Sequence, residues 1–365
     1  MDRRSFIASA AVAPLAISWS SGTRGQPRSF APASTGWRRF EITTRLEIAN
    51  GGPGTRAWIP IPAVNTDWQQ SLASTWSGNV RDAALDTEGV YGAKMVRASW
   101  ADGEKAPVIV VVSQFRSRDR TLDWKQRTSA AAAPADLALN LKATSLIPTD
   151  GIVGETAAKI VAGKSTDVDR TRAIYDWVVA NTFREPTVRG CGVGDIKGML
   201  ETGNLGGKCA DLNALFVGLC RAAGVPARDV YGIRVAKSAF GYKELGTGSP
   251  DISKAQHCRA EAWLEGFGWV AMDPADVAKV MRMETPEWIK DPRHEIVAPV
   301  YSALFGAWEG NWMGYNVAHD VALPGSTGPK LGFLMYPQAE TRGERVDSLD
   351  PETFKYRITA REIAG

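Results

Sequence analysis

Between Phe40 and Ile48 apolar and polar positions alternate. Phe40, Ile42, Leu46 and Ile48 fall on one face and Glu41, Thr43, Arg45 and Glu47 on the other, which predicts a half-buried strand. "NGGPG" then turns the chain. "RAWIPIP" and "PVIVVVSQF" are further strand candidates, and no long helical pattern precedes about Thr128. Residues 36–125 therefore predict a small antiparallel β-sandwich. "TSAAAAPADLALN" breaks the composition and places a linker at 126–150. Beyond it the period changes. "STDVDRTRAIYDWVVANTF" predicts a helix capped by Asp167 or Asp169, with Ile174, Trp177 and Val178 on one stripe. A second helix runs from Cys209 to about Ala223. Leu212, Leu215, Phe216, Leu219 and Cys220 recur along it at spacings of three and four, and Gly224-Val225-Pro226 ends it. "RDVYGIRVA" predicts a strand, followed by a polar loop and then a hairpin, "HCRAEAWL", "EGFG", "WVAMDPAD". The expected class is α+β.

Composition narrows the function. The chain has 365 residues, 44% of them hydrophobic, enough for two packed domains rather than one. The net charge of +3 comes from well-mixed acids and bases with no basic stripe, so no nucleic-acid partner is expected. The 13 tryptophans belong mostly in cores and domain contacts. With only 3 histidines (His257, His294 and His319), no CxxC and no HExxH, no metal centre is expected. Neither a Walker loop nor a dinucleotide fingerprint is present, so no cofactor is expected. The start, "MDRRSFIASAAVAPLAIS", carries Arg3-Arg4 and an apolar run, Phe6 to Ile17, too short to span a bilayer. Residues 1–30 are expected to be an export signal. The Arg3-Arg4-Ser5-Phe6-Ile7 stretch resembles a twin-arginine signal, although Asp2 stands where Ser or Thr is usual and no Lys follows Ile7. An ordinary secretory signal is the alternative. Both imply a periplasmic or secreted protein with no stable membrane insertion once the signal is removed.

Cys209 is the candidate nucleophile. It opens a helix, where the dipole and free amides favour a thiolate, and Gly206-Gly207 lets the backbone turn sharply and a substrate approach. Its own backbone N–H can serve an oxyanion, with Asn181 and Asn204 as candidates for a second donor. Taken alone, a lone cysteine is more often a buried structural residue. The hairpin changes that reading. If its register centres on Glu265, His257 faces Asp273, and their shared parity puts both on one face. Cys209, His257 and Asp273 then take the roles of nucleophile, general base and orienter. Asp273 before Pro274 is also ordinary turn chemistry. His319-Asp320 is a poorer dyad because adjacent strand residues point to opposite faces.

The pieces "RAIYDWVVANT", "GKCADLNALFVGLCRAAGVPAR" and "HCRAEAWLEGFGWVAMDPAD" resemble the core of the transglutaminase-like superfamily. The matching positions are Cys209, His257 and Asp273, with Gly266, Gly268, Trp269 and Val270 in the turn. Cys258-Arg259 departs from the Ala-Trp often found after the histidine. The resemblance implies a papain/transglutaminase-like catalytic core over 151–285, in which the cysteine helix packs on an antiparallel sheet bearing His and Asp. Residues 286–365 are then an extension completing that core. It also implies a thiol-dependent hydrolase or acyl transferase acting on peptide or protein amides through an acyl-enzyme. Water, the abundant acceptor, favours hydrolysis. The rival is a non-catalytic periplasmic binding or scaffold protein that keeps the fold. Cys220, on the apolar face, is expected to be inert core. In an oxidising compartment Cys191 and Cys258 are the pair left over, and a disulfide between them is the expectation.

Overall fold

The alternation at residues 40–48 is realised in strand Arg38–Ile48, whose Phe40, Ile42, Leu46 and Ile48 are all buried. A computed structural model describes residues 28–34, 36–128 and 133–364. The export-signal reading of residues 1–30 lies almost wholly outside the described residues. No helix among the described residues is long and apolar enough to cross a membrane.

Two antiparallel sheets dominate the N-terminal half. One has the strand order Phe354–Ile363, Arg38–Ile48, Val108–Ser117, Gln69–Gly78. The other runs Glu344–Val346, Gln338–Thr341, Arg56–Pro60, Lys94–Ser99, Asp82–Thr87. Leu46, Ile109 and Phe354 from the first meet Ile59, Val96, Ala98 and Ala339 from the second in one apolar cluster. The expected C-terminal extension, 286–365, therefore divides. Its last three strands complete these two sheets, with Ile48 opposite Phe354 and Arg39 opposite Ile363. The physical reason is the edge. Without Phe354–Ile363, the outer backbone groups of Arg38–Ile48 would have no strand partner.

The second four-stranded sheet has the order Gly268–Met272, Gln256–Leu264, Ala227–Arg234, Trp312–Asn316, so only the nearer part of the extension joins it. Helix Cys209–Ala222 packs on this sheet and is buried at every residue from Cys209 to Arg221, polar positions included. The expected single apolar face is thus a helix enclosed all round. Gly224, at φ 82°, supplies the left-handed residue that stops it. Helix Asp167–Asn181 is capped by Thr166, whose Oγ1 accepts from the Asp169 N–H at 3.1 Å, rather than by Asp167 or Asp169. The expected linker, 126–150, contains a short helix, Pro134–Leu139, tethered where Trp269 Nε1 donates to Asp136 Oδ2 at 3.3 Å.

Phe354 joins the C-terminal return to the cluster between the two sheets. Phe354→Ala should cost about 3–5 kcal/mol, read as a lowered urea midpoint. An unchanged midpoint would mean that the returning strand is dispensable.

Candidate active site

The chain reaches Cys209 through a tight approach. Gly206–Gly207 pairs in parallel with Phe183–Arg184. A Cβ at Gly206 would meet Phe183 Cζ at 2.5 Å, and one at Gly207 would meet Asp211 Cβ at 2.6 Å. Neither glycine has positive φ, so close packing rather than a sharp turn is what requires them. Asp211, on the first turn, accepts from the N–H groups of Lys208 (2.8 Å), Val193 (2.9 Å) and Gly194 (2.9 Å). These bonds lock the Cys191 loop against the helix start. The Ala210 N–H is spent on the Cys191 carbonyl at 3.0 Å. The Cys209 N–H has no acceptor among the described residues.

The hairpin carries the other two groups. Its register pairs Ala260 with Met272 and Trp263 with Trp269, so it centres on Gly266 rather than Glu265. His257 and Asp273 are diagonal rather than directly opposite, but they keep the same parity and meet. His257 Nε2 lies 2.7 Å from Asp273 Oδ2. Both side chains are buried. Asp273 is also the N-cap of helix Pro274–Met283, where its Oδ1 accepts from the Asp276 N–H at 3.0 Å. The turn chemistry of Asp-Pro and the contact with histidine are therefore one arrangement, each using a different carboxylate oxygen. Asn213, on the cysteine helix, donates to the Cys258 carbonyl at 2.8 Å and to Asp273 Oδ1 at 3.3 Å.

The backbone of the hairpin is held from behind by tryptophans. Trp312 Nε1 donates to the His257 carbonyl at 3.0 Å and Trp308 Nε1 to that of Met272 at 3.2 Å. Arg259 stacks over the rings of Trp312 and Trp308, 4.7 and 5.3 Å from their centroids, and brings Nε to 3.7 Å from Asp273 Oδ2.

Charges at the site favour an ion pair. The neighbouring thiols of Cys191 and Cys258 pull the Cys209 thiol well below its ordinary value. Burial opposes them, and His257 adds to the lowering through a hydrogen bond and its charge. Burial also opposes charge on His257, but Asp276 and then Asp273 outweigh it against Arg234, leaving the imidazole raised to about 9. With Nε2 held by Asp273, Nδ1 is the nitrogen left for the thiol. His257, Asp273 and Asp276 also bring ligand-type atoms within 4.8 Å of one another. That space is already filled by a direct 2.7 Å hydrogen bond, and the two carboxylates face the guanidiniums of Arg259 and Arg234.

Other expected residues fall elsewhere. Asn181 is exposed and donates to the Trp177 carbonyl of its own helix at 2.8 Å. Asn204 is exposed and accepts from the Gly206 N–H at 3.2 Å, so neither is brought to the sulfur. His319 is buried beside Tyr231, Arg221 and Asp229 and is pushed well below its ordinary value, by burial and then by Arg221. His294 caps a turn at the surface. Cys220 is fully buried, and burial pushes its thiol up. All four cysteines are free thiols. The expected Cys191–Cys258 bond is not formed. Cys191 Sγ instead donates to the Gln256 carbonyl at 3.4 Å and Cys258 Sγ to Met335 Sδ at 3.8 Å, with both thiols beside Cys209. The sequence reading missed Asp276, whose Oδ1 lies 3.3 Å from His257 Nε2, and its partner Arg234. The spacing of Asp276 in "DPADVAK", one helical turn after Asp273, was the signal available.

A cysteine opens a buried helix that packs on an antiparallel sheet, with His257 on that sheet and Asp273 at the head of the next helix rather than on a strand. Residues 154–274 match the family model of the transglutaminase-like superfamily, so the chain carries a transglutaminase-like domain over that segment. It is 37% identical over 341 residues, 89% of this chain and 91% of the relative, to an uncharacterized protein of Haemophilus influenzae. Among solved structures it is similar to a candidate cysteine protease from Cytophaga hutchinsonii, with a TM-score of 0.49 and 16% identity over 91% of this chain and 100% of that one. It is also similar to the periplasmic domain of TgpA from Pseudomonas aeruginosa, with a TM-score of 0.35 and 16% identity over 77% of this chain and 99% of that one.

Asp276→Asn should bring the His257 imidazole down from about 9 and shift the pH profile of Cys209 alkylation toward that of an ordinary thiol, near about 8.5. An unshifted profile would mean that Asp276 serves only Arg234. His319→Ala should leave the profile where it is.

Proposed function

We propose that the protein is a thiol-dependent enzyme acting on peptide or protein amide bonds, with Cys209, His257 and Asp273 as its catalytic triad. The observation that carries this is the buried His257–Asp273 contact at 2.7 Å beside a cysteine held well below its ordinary value. The thiolate of Cys209 attacks the amide carbonyl. The Cys209 N–H, left without an acceptor, faces the developing oxyanion. The His257 imidazolium gives its proton to the departing amine, forming the acyl-enzyme. Neutral His257 then takes a proton from the incoming nucleophile, and the thiolate leaves. Asp273 fixes the ring and balances its charge throughout. Water is the acceptor in greatest supply, which supports hydrolysis over transfer to an amine. A periplasmic or secreted location is part of the proposal. It is supported by the arginine pair and apolar run at the start of the sequence.

Cys209→Ala should abolish cleavage of peptide amides in a library screen, and His257→Ala should lower the rate on the order of a hundred- to ten-thousand-fold, while Asp273→Asn leaves a measurable remainder. A Cys209→Ala protein as active as the original would sink the proposal. The pH dependence has a defined sign. His257 is raised above its ordinary 6.5, so its share of stability is fully present below about pH 6.5 and is lost as pH rises through about 9. The imidazolium is also the proton donor, so kcat/KM should fall over that upper limb. Its acid limb should lie well below the ordinary thiol range. A rate that climbs through pH 9 would contradict the ion pair.

A further inference from the structure

The nucleophile opens onto an unusually cationic cleft. A cavity of about 230 Å³ is lined by Cys209 and His257, and one of about 540 Å³ beside it by Cys191; the two share Arg184, Lys254 and Gln256. The larger one also takes Arg189, Lys208 and Lys355 into its wall and no carboxylate. The smaller has one carboxylate, Asp251, which is already paired with Arg357 at 3.0 Å. Arg189 is paired with Asp347 at 2.7 Å. Arg184, Lys208, Lys254 and Lys355 have no carboxylate within ion-pairing distance among the described residues. Arg184 is the most telling. It is held beside the nucleophile by the parallel pairing of Phe183–Arg184 with Gly206–Gly207, and its Nε is buried without an acceptor. A buried guanidinium donor with nothing to donate to is a cost that a bound acceptor would remove. Tyr336, Leu349, Phe354 and Tyr356 give the larger cavity an apolar wall. Its volume lies within the usual range for a ligand site.

We infer that the acyl donor carries a carboxylate on residues flanking the attacked amide, bound by Arg184 with Lys254, Lys208 and Lys355 around it. The inference rests on Cys209 being the nucleophile of the proposed reaction. The carboxylate has two possible sources, an Asp or Glu side chain and the free end of a peptide. Both would meet the same cations. An arginine suits a planar carboxylate through its paired donors, and the lysines add charge that draws it in.

Two measurements test it. The first compares alkylation of Cys209 in the full protein by iodoacetate and by iodoacetamide, with a free cysteine derivative alongside. The iodoacetate-to-iodoacetamide ratio should exceed that of the free thiol by about tenfold and collapse toward it in Arg184→Gln, in Lys254→Gln and at about 1 M salt, where screening is nearly complete. A ratio equal to that of the free thiol would overturn the inference. The second measures binding to the Cys209→Ala protein by calorimetry. Amide-capped triglutamate should bind about tenfold more tightly than capped triglutamine, while triglutamine with a free end tests the terminal carboxylate. Equal affinities for all three, or tighter binding of capped trilysine, would overturn it. A Cys209 inert to both alkylating reagents would sink the proposed reaction alone, and the triglutamate measurement would still decide the charge preference.

Discussion

Asp273 is the carboxylate on which the site depends. It has no exposed surface, and its two oxygens are divided between the head of a helix and the ring of His257. A buried charge is tolerated only when its partners are in place, and removing one is far more costly than never having had the pair. The groups around Asp273 meet that demand collectively. His257 and Arg259 lie against Asp273, and Arg234 pairs with Asp276, so each buried carboxylate faces a basic group. Arg234, Arg259 and Asp276 are therefore part of what holds His257 and Asp273 in place.

This electrostatic demand explains the packing around it. Cys209 and these groups come from the cysteine helix, two adjacent strands and the helix after the hairpin. They remain in register only if those elements cannot slide. Asn213 ties the cysteine helix to both the Cys258 backbone and Asp273, and the two tryptophans fix the carbonyls of the hairpin. "NWMGYN" supplies one of those ties through Trp312. A strand that carries none of Cys209, His257 and Asp273 thus orients the strand that bears His257.

The legible parts of the sequence were the local ones. Helix Cys209–Ala222 and its glycine stop, the alternation in Arg38–Ile48, and the parity of His257 and Asp273 all follow from spacings of a few residues. They survive even where the detail shifts, as in the hairpin centred one residue later. What could not be read was pairing across the length of the chain. Nothing local in "FKYRITAREI" says that it will lie against Arg38–Ile48, because strand pairing is decided by which edges remain open after the rest has folded. The expected disulfide failed for a related reason. Elimination among cysteines assumes that one cannot be shared, whereas Cys191 and Cys258 both serve the same sulfur.

The returning C-terminal strand has a second consequence, for the cleft. Phe354, Lys355 and Tyr356 line the larger cavity, while Ile358 and Ala360 of the same strand pack beneath it in the apolar cluster that contains Cys209. The loop that bears Lys254 is bound to this strand. The Ile252 N–H donates to the Ile358 carbonyl at 2.8 Å, and the Ala360 N–H donates to the Pro250 carbonyl at 3.0 Å. Part of the cleft wall, from Tyr336 to Tyr356, is therefore built from chain outside residues 154–274, the part that matches the superfamily. Cys209, His257 and Asp273 lie inside the matched segment together with Arg184, Arg189, Lys208 and Lys254, whereas Lys355 and the aromatic residues Tyr336, Phe354 and Tyr356 of the cleft lie outside it. Chains with the same Cys, His and Asp can on this plan differ in the shape of the cleft beside them, because part of its wall comes from a strand of the sheet the core is joined to.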